Sequence, residues 1–241
     1  QREQQQVGID SFRIWARHSD DNGQSWSEPL AIYDQTGHGC RSNGIKLSSG
    51  ELLLPVHSFA APHVAGVLRS DDGGKTWKRF GKIETPEKIG AAEPTIAELS
   101  NGRVLMALRT RDGFLWTTRS NDRGETWEPP RKTDLVAAAA SHNLLRLSDG
   151  RVVLTHCASA PPLRSPLTMR VSTDEGQTWG PPLVLDEVAE PSPGDEVWSW
   201  QVTYPSATQL RDGTILVVWT RIELAPDRQF GIIESAKVRV E

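Results

Sequence analysis

The hydrophobic residues of this chain fall in short runs separated by glycine-containing turns, and no run has the spacing of an amphipathic helix. Four segments share one form: a strand, a Ser, Asn or Asp followed by Gly, and a second strand rich in Leu, Val and Ile. They are residues 45–54, 96–107, 144–154 and 207–218, and their turn glycines are Gly50, Gly102, Gly150 and Gly213. Such turns between apolar runs predict β-hairpins. The pattern therefore indicates an all-β protein made of repeated hairpins.

A second repeated feature is an octapeptide of the form S-x-D-x-G-x-[ST]-W. Its four copies are residues 19–26, 70–77, 120–127 and 172–179, and its Asp falls at 21, 72, 122 and 174, at intervals of 51, 50 and 52 residues. An Asp carboxylate accepts backbone N–H groups further along a turn, and Gly permits a positive φ. These aspartates could bind a ligand or metal, but one copy in every full repeat favours a structural turn whose Trp folds onto the sheet.

Together the two features predict a repeat of four strands, with the octapeptide between the third and the fourth. A four-stranded antiparallel sheet repeated radially is the blade of a β-propeller. The chain forms one such domain over 1–241, with repeats at roughly 7–34, 41–90, 92–135, 141–187 and 200–241. The first repeat begins at its third strand, and an open ring exposes strand edges. We therefore expect further blade material upstream in a parent protein, and little turnover by residues 1–241 alone.

Composition narrows the functional classes. The net charge of -4 is small, and no basic run suggests nucleic acid. No stretch of 18 apolar residues is present, so no membrane span is predicted. Cys40 and Cys157 are 117 residues apart and lack metal-ligand spacing, which favours two buried thiols over a disulfide or a metal site. The His residues are scattered, so we expect neither metal nor cofactor. Localisation stays open, and secretion or the periplasm would suit the parent protein.

The repeat register predicts where a ligand would bind. The positions nine residues before the turn glycines are Arg41, Glu93, Ser141 and Tyr204. The positions two residues further on are Asn43, Thr95, Asn143 and Ser206. The positions seven residues after the glycines are His57, Arg109, Cys157 and Thr220. If the first strand is innermost, these positions surround one mouth of the central channel, because strand side chains alternate between faces. Unlike polar residues at one rim favour a binding site. The alternative is solvated strand ends, with Tyr204 a core aromatic whose hydroxyl meets water.

Three segments resemble the sialidase (neuraminidase) superfamily, in its branch of bacterial proteins with BNR, or Asp-box, repeats. They are residues 93–109 (EPTIAELSNGRVLMALR), 164–170 (RSPLTMR) and 204–214 (YPSATQLRDGT). The resemblance covers essentially the whole chain and implies a six-bladed sialidase-like β-propeller of four-stranded antiparallel blades. It also implies an exo-α-sialidase-like glycoside hydrolase that cleaves terminal sialic acid, or a related acidic sugar, from glycans. By the same resemblance, Tyr204 is the nucleophile, Glu93 activates it, and Arg109 and Arg164 bind the substrate carboxylate.

The register adds Arg41, Asn43, Asn143 and His57 as substrate-binding candidates. A neutral Tyr suits a sugar whose anomeric carbon carries a carboxylate, because an anionic nucleophile would be repelled. The family also uses another Arg and an acid/base Asp from its first blade, and neither is found in this sequence. Two alternatives stay open: another sugar-active enzyme on the same fold, such as a polysaccharide lyase, or a non-catalytic carbohydrate-binding propeller.

Overall fold

A computed structural model describes residues 12–86, 89–188, 200–225 and 228–240, and within these ranges the chain forms strands and turns without an α-helix. The first sheet pairs β1 (Ile14–Ala16) with β2 (Leu30–Tyr33). The second contains β3 (His38–Gly39), β4 (Ile45–Lys46), β5 (Leu52–Ser58), β6 (Ala65–Ser70) and β7 (Lys78–Ile83). The third contains β8 (Ala92–Glu98), β9 (Val104–Arg109), β10 (Phe114–Ser120) and β11 (Arg131–Val136). The fourth contains β12 (Asn143–Arg146), β13 (Val152–Cys157), β14 (Leu167–Ser172) and β15 (Leu183–Asp186), and the fifth β16 (Trp200–Gln209), β17 (Ile215–Ala225) and β18 (Arg228–Val238).

Each sheet is an antiparallel blade, and the blades follow one another in chain order, which confirms the predicted propeller. In the third and fourth sheets all four strands pair in sequence order. In the second sheet the predicted inner strand is interrupted, because β3 and β4 both pair with β5. The fifth sheet has three described strands. The equivalent inner strands line a central channel of about 360 Å³, bordered by residues such as Ile45, Ile96, Leu144 and Ala207.

The hydrophobic core lies between consecutive blades rather than within any one of them. Leu105 and Met106 are neighbours on β9, and both are fully buried. Leu105 packs with Leu154 of the following blade, whereas Met106 packs with Val67 of the preceding one. Strand side chains alternate between faces, so a blade between two neighbours needs apolar residues on both. This explains why the sequence of the second strand in each such blade, for example β9, begins with an unbroken run of apolar residues.

The octapeptides form turns between the third and fourth strands of their sheets, as predicted. In the second copy, Asp72 Oδ1 accepts the Thr76 backbone N–H at 2.9 Å and the Ser70 hydroxyl at 2.8 Å. Its Oδ2 accepts the Thr76 hydroxyl at 2.6 Å. The other copies repeat these bonds. The carboxylates are therefore occupied by their own turns, which supports the structural interpretation of the motif.

The third and fourth turns also join their blades to the preceding ones. A Cβ placed on Gly176 would lie 2.6 Å from Leu105 Cδ2 of the third sheet, and the φ of 75° at Gly176 favours glycine there. Arg119, also on the third sheet, donates Nη2 hydrogen bonds to the carbonyls of Glu175 and Gly176 at 3.2 and 3.3 Å. The motif therefore stabilises the contact between blades as well as the hairpin that contains it.

The tryptophans of the motif differ in their packing. Trp77, Trp127 and Trp179 are half-buried against the cores between sheets. Trp26 is 58% exposed. The prediction that every motif Trp folds onto the sheet is therefore wrong for Trp26, whose ring packs into none of the described cores between sheets.

The two cysteines are free thiols, but only one is buried. Cys157 donates its S–H to the Val202 carbonyl at 3.1 Å in the core between the fourth and fifth sheets, and burial raises the pKa of this thiol to about 12. Cys40 is exposed in the interruption between β3 and β4. The prediction of two buried thiols is therefore wrong for Cys40.

The motif predicts a specific dependence of stability on pH. The pKa of Asp72 is lowered to about 2, because the Thr76 side chain and then its backbone donate to the carboxylate. The resulting stabilisation is present above the unfolded-state pKa of about 4 and is lost as pH falls through about 2. We expect Asp72→Asn to lower Tm most at about pH 5 and above, with the difference from wild type shrinking between about pH 4 and 2.

Asp34→Asn is the matched control, because Asp34 has no hydrogen bond or ion pair with any described residue. Thermal unfolding of the three proteins across this pH range measures the effect. A Tm difference for Asp72→Asn that stays constant with pH would contradict the interpretation, as would an equal pH dependence in Asp34→Asn.

Candidate functional site

Glu93 and Tyr204 face each other from two different blades. Glu93 lies near the start of β8, and Tyr204 lies in the middle of β16. The Tyr204 hydroxyl donates to Glu93 Oε1 at 3.3 Å, a long hydrogen bond. Glu93 is 5% exposed, whereas Tyr204 is half-buried. The register therefore brings together a phenol and a shielded carboxylate, as expected from the sequence.

The backbone is strained at both residues. Glu93 has a φ of 39° and Tyr204 a φ of 54°, values that side chains other than glycine seldom adopt. Each lies at a register shift of its inner strand, between Ala92 and Thr95 on β8 and between Thr203 and Ser206 on β16. Such bulges redirect a side chain and are frequent beside active sites. The two bulges turn these side chains towards each other across the rim.

Arg109 completes a three-residue group. Its Nη1 lies 2.7 Å from Glu93 Oε1, the oxygen that also accepts the Tyr204 hydroxyl. The other oxygen, Glu93 Oε2, is buried and has no hydrogen-bond partner among the described residues. A buried carboxylate oxygen without a partner costs free energy, which a ligand hydroxyl or a transferred proton would offset. Glu93 Oε1 thus faces both Tyr204 and Arg109, whereas Oε2 has no described partner.

Arg164 approaches Tyr204 from the other side. It is 7% exposed, and its Nη1 and Nη2 donate to Gln201 Oε1 at 3.0 Å and to the Ala139 carbonyl at 2.9 Å. Its Cζ lies 5.9 Å from the centre of the Tyr204 ring. These bonds fix the guanidinium beside the phenol. Arg109 therefore contacts Glu93, whereas Arg164 lies beside the Tyr204 ring.

The remaining sequence candidates divide into three environments. Arg41 and His57 line a cavity with Glu93 and Arg109 between the second and third sheets. Burial, with nearby His and Arg charges, lowers the pKa of His57 to about 4. Asn43 donates to Ser206 Oγ at 3.1 Å, between the second and fifth sheets.

Asn143 lies in a different environment. It is 2% exposed, its Oδ1 has no partner among the described residues, and no described bond links it to the Glu93 group. Beside it, Leu144 donates its backbone N–H to Thr95 Oγ1 at 3.0 Å, between the third and fourth sheets.

Several residues at the site were not predicted. Gln201 and the Ala139 carbonyl, which hold Arg164, belong to no repeated motif and gave no signal. The two bulges did leave a signal, since Glu93 and Tyr204 are each followed by Pro and a hydroxyl residue. Proline restricts the residue before it. The shared x-Pro-[Ser/Thr] tripeptide therefore marks the irregular positions of two otherwise regular strands.

Two classes of feature are absent from the described ranges. There, no group of three or more His, Cys, Asp or Glu side chains is arranged to hold a metal ion. The same ranges contain no helix long and apolar enough to span a bilayer.

The chain is similar to several known proteins. The sequence profile of the BNR repeat-like domain matches residues 2–217. A sialidase of Bacteroides fragilis is 30% identical over 196 residues, which cover 70% of this chain and 34% of that protein. A sialidase of Micromonospora viridifaciens is 28% identical over 220 residues, covering 81% and 32%. The structure of the NanB sialidase of Streptococcus pneumoniae, solved with a chlorobenzyl-ammonio ethanesulfonate, resembles that of this chain with a TM-score of 0.76. The two sequences are 21% identical, and the match covers 95% of this chain and 36% of NanB. The chain thus spans about a third of the length of these relatives.

Proposed function

The chain belongs to the BNR repeat-like domain family, and on this premise we propose that it carries the catalytic propeller of an exo-α-sialidase-like glycoside hydrolase. The substrate would be a glycan ending in sialic acid or a related acidic sugar. One observation carries the proposal: the Tyr204 hydroxyl and Arg109 Nη1 share the same oxygen of the buried Glu93. Sialidase relatives support the choice of substrate class.

In the first step, the Tyr204 oxygen bonds to the anomeric carbon as its proton passes to Glu93. The bond between that carbon and the leaving oxygen breaks, and the electron pair departs with the leaving group. In the second step, water attacks the anomeric carbon and releases a proton to solvent. The Tyr204 oxygen leaves and recovers its proton from Glu93. The two displacements together retain the anomeric configuration.

The proposed role of the arginines is to bind negatively charged groups. Arg109 and Arg164 are the candidates for binding the substrate carboxylate, because a guanidinium can give two parallel, charge-assisted hydrogen bonds to a carboxylate. Arg109 also fixes the orientation of Glu93 at 2.7 Å. Arg164 is held by Gln201 and the Ala139 carbonyl, so it is oriented before a ligand arrives. Such preorganisation lowers the cost of binding.

A fluorogenic aryl sialoside tests the proposal in the whole protein. An aryl group leaves without protonation, so the assay depends on the nucleophile and not on a general acid. We expect release of the fluorophore, with proton NMR showing that the first sugar product keeps the anomeric configuration of the substrate. Inversion would exclude a covalent Tyr204 intermediate, and a lack of turnover at any pH between about 4 and 8 would overturn the hydrolase proposal.

A further inference from the structure

A small cavity with basic walls lies beside the Glu93–Tyr204 pair, between the second and third sheets. Its volume is about 160 Å³. Its titratable lining comes from Arg41, His57, His63, Arg109 and Arg111, and from one acidic residue, Glu93. Neither Tyr204 nor Arg164 lines this cavity, so it is a neighbouring space that shares only Glu93 and Arg109 with the proposed catalytic group.

Among the residues that the structure describes, the acidic side chains of the cavity do not balance its positive charge. Glu93 is paired with Arg109 at 2.7 Å. The side chains of Arg41 and Arg111 are exposed and form no hydrogen bond or ion pair with any described residue. Each guanidinium presents N–H donors in a fixed planar arrangement that suits an oxyanion. The positive charges of two arginines on one small cavity repel each other, and an anion bound between them would offset this repulsion.

A buried imidazole nitrogen without a described hydrogen-bond partner is the second and independent observation. His57 is 3% exposed, lies on β5 against the cavity, and its Nδ1 has no hydrogen-bond partner among the described residues. Burial first, and then the positive charges of His63, Arg41 and Arg109, lower the pKa of His57 to about 4. A buried polar atom without a partner is costly. An oxyanion in the cavity would supply that partner and oppose the surrounding positive charge.

The size of the cavity limits what it can hold. At about 30 Å³ for each water molecule of liquid volume, the space corresponds to a few waters, and it is smaller than a usual ligand pocket of about 300 Å³ or more. We infer that Arg41, Arg111 and His57 form a subsite for one oxyanion substituent, so that the preferred substrate is an acidic sugar or glycan bearing a second anionic group. The inference about substrate rests on the proposed function; the inference about anion binding does not.

Binding of inorganic sulfate tests the subsite without turnover. Calorimetry on the whole protein should show saturable sulfate binding that Arg41→Ala and Arg111→Ala each weaken by about tenfold or more, as expected for loss of a charge-assisted bond. Both side chains are exposed, so the fold should survive. Arg211→Ala is the matched control, because Arg211 is exposed in the turn between β16 and β17. Sulfate binding that is absent, or equal in all these proteins, would overturn the subsite.

The source of the oxyanion is decided by comparing substrates. The whole protein is given an unsubstituted sialoside, one carrying a sulfate ester, and a disialoside whose second sugar supplies a carboxylate. A higher kcat/KM for the sulfated or the disialyl substrate, lost in Arg111→Ala, identifies the substituent. Equal kcat/KM for all three would overturn the substrate inference. If no sialoside is cleaved, the proposed function fails while the sulfate result still decides the subsite.

Discussion

Tyr204→Phe is expected to lower kcat of the whole protein on an aryl sialoside by about a thousandfold or more, because it removes the atom proposed to bond to the anomeric carbon. The change deletes one hydroxyl and keeps the ring beside Arg164. Among the described residues, the hydroxyl bonds only to Glu93, at a long 3.3 Å, so its loss should change Tm little. Initial rates and thermal unfolding of the same preparation measure both quantities.

Tyr33→Phe is the matched control, because the chain contains only two tyrosines. The Tyr33 hydroxyl donates to Gln35 Oε1 at 2.7 Å on the first sheet, and that residue is absent from the Glu93 group. Its removal should leave kcat near the wild-type value. If Tyr204→Phe kept more than about a tenth of wild-type turnover, Tyr204 would not be the nucleophile, because one lost hydrogen bond accounts for only about a tenfold loss.

The repeat period explains why the position of Glu93 and Tyr204 could be predicted from sequence. Both stand nine residues before a turn glycine, Gly102 and Gly213, so any propeller with this register places them at the same height. Hydrophobic alternation and turn chemistry act locally, and they repeat along the chain. The orientation of the two side chains towards each other depends in addition on the bulges at both residues.

Other aspects of the site depend on contacts that no repeat encodes. Asn143 shares the register of Asn43, yet it is buried between blades while Asn43 is exposed and bonds to Ser206. The packing of neighbouring blades decides this difference, and it involves residues distant in sequence. Likewise, Arg164 is oriented by Gln201, which lies 37 residues further along the chain and has no motif. Register predicts height in a blade but not burial between blades.

The strained bulges connect the fold to the proposed chemistry. A regular strand would continue the pleat through Glu93 and Tyr204, whereas both residues adopt positive φ at a register shift. Strain of this kind costs of the order of 1–3 kcal/mol at each position, and it persists where surrounding structure enforces it. Here Met106 and Leu108 on the paired strand are fully buried. The apolar core beside β8 thus helps to hold Glu93 in a conformation that an isolated strand would not keep.

Trp127→Ala is expected to destabilise the protein by about 3 kcal/mol, the low end of the range for Trp→Ala, because the ring is half-buried. Trp127 packs into the core between the second and third sheets. A Cβ placed on Gly81 of the preceding sheet would lie 2.8 Å from the Trp127 ring, which shows how closely the ring approaches that backbone. The indole N–H also donates to the Gly124 carbonyl at 2.9 Å. For a chain of this length, Tm should fall by about 6–12 °C.

Trp26→Ala provides a control within the same motif. Trp26 occupies the equivalent position of the first octapeptide but is 58% exposed, so its removal should cost less than about 1 kcal/mol. Denaturant and thermal unfolding of both variants measure the difference. Equal destabilisation by the two substitutions would mean that the motif Trp stabilises its own turn. A larger loss for Trp127 is expected, because the ring joins one blade to the next, and the core of this protein lies between blades.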